Sequence, residues 1–315
     1  MGDVTPRPQS ADVSVLLLSW NTKAFTLRCI DSLAAGADGL RLQVVVVENG
    51  SRDGSAEALR ARPDIELIEN EENVGYAAGV NQAFRRSTAP LVLLLNSDIV
   101  FEPGSLARLH ALLEERPDVA GVGPMYLNPD GSEQQHHFRL PTFGMALSDA
   151  SRLFAALPAA ARQERRYRML DADFSHPQPV EQPSASCLLL RRDLLPPGDL
   201  MDERYPIYFN DVDLCFRLRE AGRTLWMTPE ARVVHEHGAS TRLLGGKLAR
   251  QHIASHVLYL SRTQPALLVL LYRALVGAQK LAKLLLRHPD SLSPGDLWAA
   301  LRGDPGPVPK APVLD

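Results

Sequence analysis

The sequence predicts an α/β fold of Rossmann type, in which helices flank a mostly parallel central sheet. Two observations predict this class. Short apolar runs alternate with segments of helical periodicity, and the runs are apolar throughout rather than at every second position. Strands of that kind are covered on both faces, as in a parallel sheet. A chain of 315 residues can bury such a core and still leave a cleft.

The elements are expected in an alternating order. Thr22 is placed to cap the first helix, which carries apolar positions at Leu27 and Ile30. The predicted strands are Val13 to Leu18, Leu42 to Val47, Ile65 to Ile68, Leu91 to Leu95, Ser186 to Leu190 and Arg232 to Val234. Further helices are predicted from about Ser55, from Gly75 to Arg86 and from Val212 to Glu220. The arginine-rich stretch from about Ala150 to Arg168 is expected to be a surface helix that could cover a site.

Polar, turn-like segments follow three of the predicted strands. Ligands of parallel sheets bind beyond the carboxyl ends of the strands, so these segments are expected to line one site. They are Ser19-Trp20-Asn21, Glu48-Asn49-Gly50-Ser51 and Asn96-Ser97-Asp98.

A fourth segment, from Asn73 to Asn81, sets small residues such as Gly75 at a helix start, where backbone N–H groups can face an anionic ligand. Its glycine spacing is not the dinucleotide-binding fingerprint, which argues against an oxidoreductase. The first strand is not followed by a glycine-rich phosphate loop, which argues against a nucleotidyltransferase.

Three side chains are candidates for chemistry. Asp98 ends a strand, where a carboxylate can hold a hard cation between phosphate oxygens, or can only cap a turn. Asp211 follows an aromatic stretch and opens a helix, so it is either a general base or an N-cap. His235 ends the last predicted strand, and an imidazole beside a carboxylate suits Mn²⁺ or Mg²⁺, although a structural histidine is the simpler alternative.

Composition restricts the classes of partner. The formal net charge of -3 gives no nucleic-acid-binding surface. Cys29, Cys187 and Cys215 are odd in number and lie among apolar neighbours, which indicates buried thiols in a reducing compartment. The first twelve residues lack the apolar stretch of a secretory signal, so a cytoplasmic location is expected.

A C-terminal helix is predicted after Pro265. Its basic residues Arg273, Lys280, Lys283 and Arg287 fall on one face, at about 100° of rotation per residue. The apolar stretch before Arg273 is too short to span a bilayer. Two alternatives remain, an interfacial membrane helix and a core helix with a solvated face.

These segments, in this order, resemble glycosyltransferase family 2, and more closely its rhamnosyltransferase-like branch. The matching stretches are Val15 to Asn21, Val45 to Ser55, Asn73 to Asn81, Leu93 to Gly104, Ser184 to Arg192, Tyr208 to Gly222 and Val233 to Ser240. The resemblance implies a GT-A fold and transfer from a nucleoside-diphosphate sugar with inversion at the anomeric carbon. It implies a GT-A domain over 13–245, with a nucleotide-binding half at 13–125 and an acceptor half at 126–245. The flanking parts are then a flexible N-terminus (1–12), a helical extension (246–304) and a disordered tail (305–315).

The resemblance also implies roles for the candidate residues. Asn96-Ser97-Asp98 stands where the family has its DxD element, so Asp98 would bind a divalent cation, Mn²⁺ or Mg²⁺, and Ser97 would lie near the ribose. Asp211 would be the base, and His235 would join the metal. Glu48 and Asn49 would contact the nucleobase. The full set expected at the sugar nucleotide is Ser19, Trp20, Asn21, Glu48, Asn49, Ser51, Asn73, Gly75, Asn81, Asn96, Ser97 and Asp98.

The implied donor is a dTDP- or UDP-sugar, with dTDP-L-rhamnose favoured. The implied acceptor is a glycan or a polyprenyl-linked glycan in cell-wall or exopolysaccharide synthesis, which would place the protein at the inner face of the cell membrane. The alternative from another class is a catalytically silent protein of the same fold that binds a sugar nucleotide or a glycan.

Overall fold

The computed structural model describes residues 10–150, 152–236, 248–286 and 292–308. Its strands are β1 (Val13–Ser19), β2 (Leu42–Asn49), β3 (Glu66–Asn70), β4 (Leu91–Asn96), β5 (Ile99–Phe101), β6 (Val119–Leu127), β7 (Glu133–Gln134), β8 (His137–Phe138), β9 (Gln178–Val180), β10 (Gln182–Pro183), β11 (Cys187–Arg191) and β12 (Thr224–His235). Its α-helices are α1 (Lys23–Ala37), α2 (Ser55–Arg60), α3 (Tyr76–Arg86), α4 (Ser105–Glu115), α5 (Phe143–Ala150), α6 (Arg152–Ala155), α7 (Pro158–Tyr167), α8 (Asn210–Glu220), α9 (Ala249–Thr263), α10 (Ala266–Leu285) and α11 (Pro294–Leu301).

The central sheet has the order β3-β2-β1-β4-β11-β6-β12-β5. Strand β1 pairs in parallel with β2 and β4, and β2 pairs in parallel with β3. Strand β11 runs antiparallel to both β4 and β6, and β12 is parallel to β6. Strands β1, β2, β4 and β12 therefore end at the same edge of the sheet. The predicted mostly parallel α/β sheet is confirmed.

Helices cover both faces of the sheet, which explains why its strands are apolar throughout. In β1, Val15 and Leu17 pack into one core cluster with residues of α1 and α4, whereas Leu16 packs into a second cluster with residues of α3 and α8. Neighbouring strand residues point to opposite faces, so both sets must be apolar. Each fully buried side chain of this size contributes about 1.5–3 kcal/mol.

Several element boundaries differ from the prediction, and the arginine-rich stretch, expected as one helix, forms the two helices α6 and α7. Strand β12 begins at Thr224 rather than Arg232, because its pairing with β6 continues across a register shift between Thr228 and Arg232, and that irregularity breaks the sequence pattern. Helix α8 begins at Asn210, with Phe209 at the N-cap position. Asp211 thus lies in the first turn and is not the N-cap. Its Oδ1 atom accepts a hydrogen bond of 2.8 Å from the amide of Val212.

A helical layer follows the sheet. Side chains of α5, α9, α10 and α11 form a separate apolar cluster that includes Ile253, Tyr272 and Ala300. None of the helices within the described ranges is long and apolar enough to cross a membrane. Of the expected tail, 305–308 is described, and Gln251 donates a hydrogen bond of 2.9 Å to the carbonyl of Pro307. Residues 1–9 and 309–315, and Arg287 of the predicted basic face, lie outside the described residues.

Candidate functional site

A cavity of about 720 Å³ opens at the carboxyl ends of β1, β2, β4 and β12. The structure brings most of the expected site residues to this one cavity. Those that line it are Trp20, Asn49, Asn73, Gly75, Asn96, Ser97, Asp98, Asp211 and His235.

Asp98 and His235 face each other across the cavity floor. The Nε2 atom of His235 lies 3.5 Å from the Oδ1 atom of Asp98, and both side chains are buried. The backbone also joins their strands, because the amide of Glu236 donates to the carbonyl of Asp98 over 3.0 Å. The pair is therefore held by two hydrogen-bonded segments that are remote in sequence.

Gln134 and His136 both contact Nδ1 of His235, and Nε2 of His136 lies 3.1 Å from that atom. The Nε2 atom of Gln134 donates to Oδ1 of Asn128 over 2.7 Å, which turns the Gln134 Oε1 atom towards Nδ1 of His235 at 2.7 Å. The Gln134 oxygen can only accept, so this contact places a proton on Nδ1 of His235, and in the neutral ring Nε2 is then the unprotonated nitrogen. The lone pair on Nε2 then points towards Asp98.

This arrangement fits a divalent cation. A lone pair and a carboxylate oxygen that face each other at 3.5 Å are a donor pair that one ion can bridge. The acceptor behind Nδ1–H is the usual support of a metal-binding histidine. Within the described residues no group of three or more His, Cys, Asp or Glu side chains could hold a metal, so further ligands would have to come from a bound phosphate or from water.

Asp211 lines the same cavity from the start of α8. Burial raises the pKa of this carboxyl, and the raise is opposed by hydrogen bonds from the Val212 amide and the Gln182 side chain. Tyr76 shows that the two acidic groups share one environment. Its burial, followed by the charges of Asp211 and Asp98, raises the pKa of its hydroxyl. A carboxylate with a raised pKa is suited to accept a proton from a hydroxyl group.

Loop contacts hold the nucleotide-side residues. The side chain of Asn49 donates to Oδ1 of Asn73 over 2.8 Å and accepts from the Val74 amide at 3.1 Å. Asn73 also accepts from the Gly75 amide at 2.9 Å. Gly75 has a φ of 93°, and a Cβ atom there would lie 2.9 Å from Cγ2 of Val308. The polar atoms of Asn49 thus fix the loop that forms one wall of the cavity.

Other expected residues do not line the cavity. Ser19 bonds to Thr26 across 3.0 Å, and Glu48 accepts from the amides of Gly50 and Ser51 at 3.2 and 2.8 Å. These contacts stabilise the ends of β1 and β2, which carry the lining residues Trp20 and Asn49.

Asn21, Ser51 and Asn81 join segments in the same way. Asn21 has a φ of 51°, and its amide donates to Ser51 Oγ over 2.9 Å, which joins the loops after β1 and β2. Asn81 donates to the carbonyl of Met201 at 2.9 Å and accepts from its amide at 2.8 Å. The structure therefore gives these three residues a supporting position.

Sequence reasoning missed several lining residues. Gln134 belongs to β7 and His136 lies between β7 and β8, and His136 stacks on Tyr126 with ring centroids 4.4 Å apart. Arg168 follows α7 and brings a cation to the cavity, so the arginine-rich stretch does reach the site. The run Gln134 to His137 consists of two glutamines followed by two histidines, and this polar run was the available sequence signal. No sequence signal pointed to Val308, because no local pattern places this residue beside Gly75.

A family model and a curated relative match the chain. The model of glycosyl transferase family 2 matches residues 14–195. The N-acetylglucosaminyl-diphospho-decaprenol L-rhamnosyltransferase of Mycobacterium tuberculosis is 30% identical over 235 residues, which cover 68% of this chain and 72% of that protein. The O-antigen biosynthesis protein RfbC of Myxococcus xanthus is 27% identical over 220 residues, 68% of this chain and 16% of that protein.

A solved structure shares the fold. The mannosyltransferase from Pyrobaculum calidifontis, in complex with GDP-Man and Mn²⁺, superposes with a TM-score of 0.54 at 17% identity. The match covers 96% of this chain and 88% of that one. The predicted GT-A fold is confirmed, including its helical C-terminal part.

Proposed function

Since the chain belongs to glycosyl transferase family 2, we propose that it is a divalent-cation-dependent, inverting glycosyltransferase, with dTDP-L-rhamnose as the favoured donor. One observation carries this proposal. The carboxylates of Asp98 and Asp211 and the imidazole of His235 line a single cavity at the carboxyl ends of the strands. That edge is where sheets of this type bind nucleotides.

The donor diphosphate needs positive charge at its leaving oxygens. Asp98 and His235 would hold Mn²⁺ or Mg²⁺, which supplies that charge when bound. Gln134 keeps the Nε2 lone pair of His235 directed into the site. Arg168 lines the same cavity, and its guanidinium, which is paired with Glu164, would have to leave that carboxylate to meet the diphosphate. Ser97 lies beside Asp98, where a ribose hydroxyl would meet it.

Asp211 is proposed as the general base. It accepts the proton of an acceptor hydroxyl, and the resulting oxygen nucleophile attacks the anomeric carbon on the face opposite the diphosphate. The bond to the diphosphate breaks as the new glycosidic bond forms, so configuration inverts and no covalent enzyme intermediate arises. Trp20 and Tyr208, which line the cavity, offer apolar surfaces against which sugar rings can pack.

The donor base and the acceptor are proposed from the relatives. An L-rhamnosyltransferase with 30% identity supports a dTDP-sugar, with UDP-sugars as the other class. The names of the relatives support a lipid-linked or glycan acceptor in cell-wall or polysaccharide synthesis. A polyprenyl-linked acceptor would be met at the inner face of the cell membrane.

The test is binding and turnover across dTDP-, UDP- and GDP-sugars with Mn²⁺ or Mg²⁺, with ¹H NMR of the anomeric product. Metal-dependent binding of one donor and an inverted product support the proposal. Donor binding without transfer or hydrolysis would favour the catalytically silent binding protein. If none of the sugar nucleotides binds with either metal, the glycosyltransferase proposal fails, and a catalytically silent glycan-binding protein of the same fold becomes the leading alternative.

A further inference from the structure

Helix α10 turns an apolar face outwards. Its exposed side chains recur every three or four residues over about 30 Å, at 1.5 Å per residue. They are leucines and alanines only: Ala266, Leu267, Leu270, Leu271, Ala274, Ala278, Leu281, Ala282 and Leu285. Leu267 and Leu285, at opposite ends of the face, are 77% and 74% exposed.

The basic residues lie on the other face. Arg273, Lys280 and Lys283 are separated from the exposed leucines by roughly half a turn, at about 100° per residue. They share the side of Val269 and Val276, which are buried against the helical layer. Burial, followed by the charge of Lys283, lowers the pKa of Lys280. The basic face predicted from the sequence therefore exists, but the leucine face is the outer one.

An apolar ridge of this length is costly in water. Exposed apolar surface is unfavourable in water, and monomeric proteins rarely leave such patches open. Leu286, just after the helix, is 82% exposed, and Trp298 on α11 is 64% exposed. Tryptophan is typical of side chains that lie at a membrane interface.

We propose that the leucine face of α10, here defined as Leu267, Leu270, Leu271, Leu281 and Leu285, inserts into the surface of an anionic lipid bilayer. The helix lies in the plane of the interface, and the cavity-bearing domain stays in water. This inference goes beyond sugar transfer and holds for a protein of this fold with or without activity.

The distribution of charge on α10 is that of an interfacial helix. Helix α10 carries three basic residues and no acidic one. They lie on the side opposite the leucines, which is the arrangement of a helix that lies in the plane of a membrane interface with its basic side level with anionic headgroups. The face is also a single convex ridge without hydrogen-bonding side chains. Protein interfaces normally surround an apolar centre with a polar rim, but acyl chains require none.

The test is sedimentation of the full chain with vesicles of phosphatidylcholine, alone or with phosphatidylglycerol. We expect several-fold stronger binding to the anionic vesicles, weakened by salt. The variant Leu267→Gln/Leu281→Gln/Leu285→Gln should lose at least ~10-fold in partition coefficient, because three leucine side chains would no longer enter the interface. The matched control is Leu157→Gln/Leu170→Gln, because those leucines are 47% and 48% exposed outside α10. It should bind as the parent does.

Two results would overturn the inference. One is equal vesicle binding by the α10 variant and the parent. The other is a parent chain that does not bind vesicles and sediments as a dimer without them, together with an α10 variant that sediments as a monomer. That result would assign the leucine face to a second copy of the chain. Binding of the sugar nucleotide and thermal unfolding of both variants should match the parent, so a failure here is distinguishable from a failure of the proposed activity.

Discussion

Asp211 and Asp213 lie two residues apart in the first turn of α8, yet their carboxylates occupy opposite environments. Asp211 faces the cavity and burial raises its pKa. Asp213 is fully buried and accepts from Nε of Arg217 at 2.7 Å and from Nη1 of Arg262 at 2.8 Å. The second carboxylate ties α8 to α9, so only the first is available to a substrate.

The substitution Asp211→Asn should strongly reduce turnover and spare the fold. Loss of a general base lowers kcat by about 10²–10⁴. The folded pKa of Asp211 is raised, so its contribution to stability is present below the unfolded pKa and is lost as pH rises through the folded pKa. At neutral pH the neutral amide removes a buried charge, and the melting temperature should stay equal or rise. A fall in both the turnover and the melting temperature would assign Asp211 a structural role.

The substitution Asp213→Asn tests the structural role of the second carboxylate, two residues after Asp211. It leaves Arg217 and Arg262 without their shared carboxylate, and breaking a buried ion pair costs about 3–5 kcal/mol. Urea unfolding should therefore show a lower midpoint for this variant than for Asp211→Asn. Equal midpoints would contradict the assignment of the two roles.

The pH profile of kcat/KM should report Asp211. The base works only when ionised, so the rate rises with pH through the pKa of its carboxyl. Because burial raises this pKa, the acid limb should lie at higher pH than for a solvent-exposed aspartate. The acid limb should be absent from the pH profile of the residual activity of Asp211→Asn. If the limb persists in that variant, Asp211 is not the group that causes it.

Metal-dependent donor binding should require Asp98. The variant Asp98→Ala removes one of the two facing donors, so Mn²⁺ should no longer tighten binding of the nucleotide, as measured by calorimetry. Asp118→Ala is the control, because Asp118 is an exposed carboxylate before β6. If Mn²⁺ still tightens nucleotide binding in Asp98→Ala, the cation does not bind at this position.

Gln134 should act as a positioning residue. Gln134→Ala removes the acceptor for Nδ1–H of His235, and loss of such support typically weakens metal affinity about 10–100-fold. Gln134→Glu retains an acceptor oxygen and should restore much of the Mn²⁺ affinity. A failure of this rescue, with the fold intact, would argue against control of the imidazole tautomer.

Gly75→Ala should destabilise the cavity wall by about 1–2 kcal/mol. The φ of 93° disfavours a side chain, and the new Cβ would lie 2.9 Å from Val308. Gly39→Ala is matched in backbone, with a φ of 92° and nothing within 4 Å of the added atom. The difference between the two unfolding free energies reports the close approach of Val308 and of the Pro206 carbonyl to the added Cβ atom, and no difference would show that only the positive φ matters.

The sequence alone determined the class of fold and the edge where the site lies. Apolar strands such as β1 and β4 need cover on both faces, and that requirement already implies a sheet between two helical layers. Polar residues at the strand ends, such as Asp98 and His235, then mark one edge, because parallel strands end together. Both inferences depend on local pattern and chain direction.

Only the tertiary structure decided which side chains share the cavity and which face of α10 is outside. Periodicity groups Arg273 with Lys280 on one side of a helix, but the neighbour that covers that side comes from distant chain. Hydrogen bonds between remote segments likewise direct Asn81 to Met201 and Gln134 to His235. Such pairings depend on long-range packing, which local sequence does not encode in any single segment.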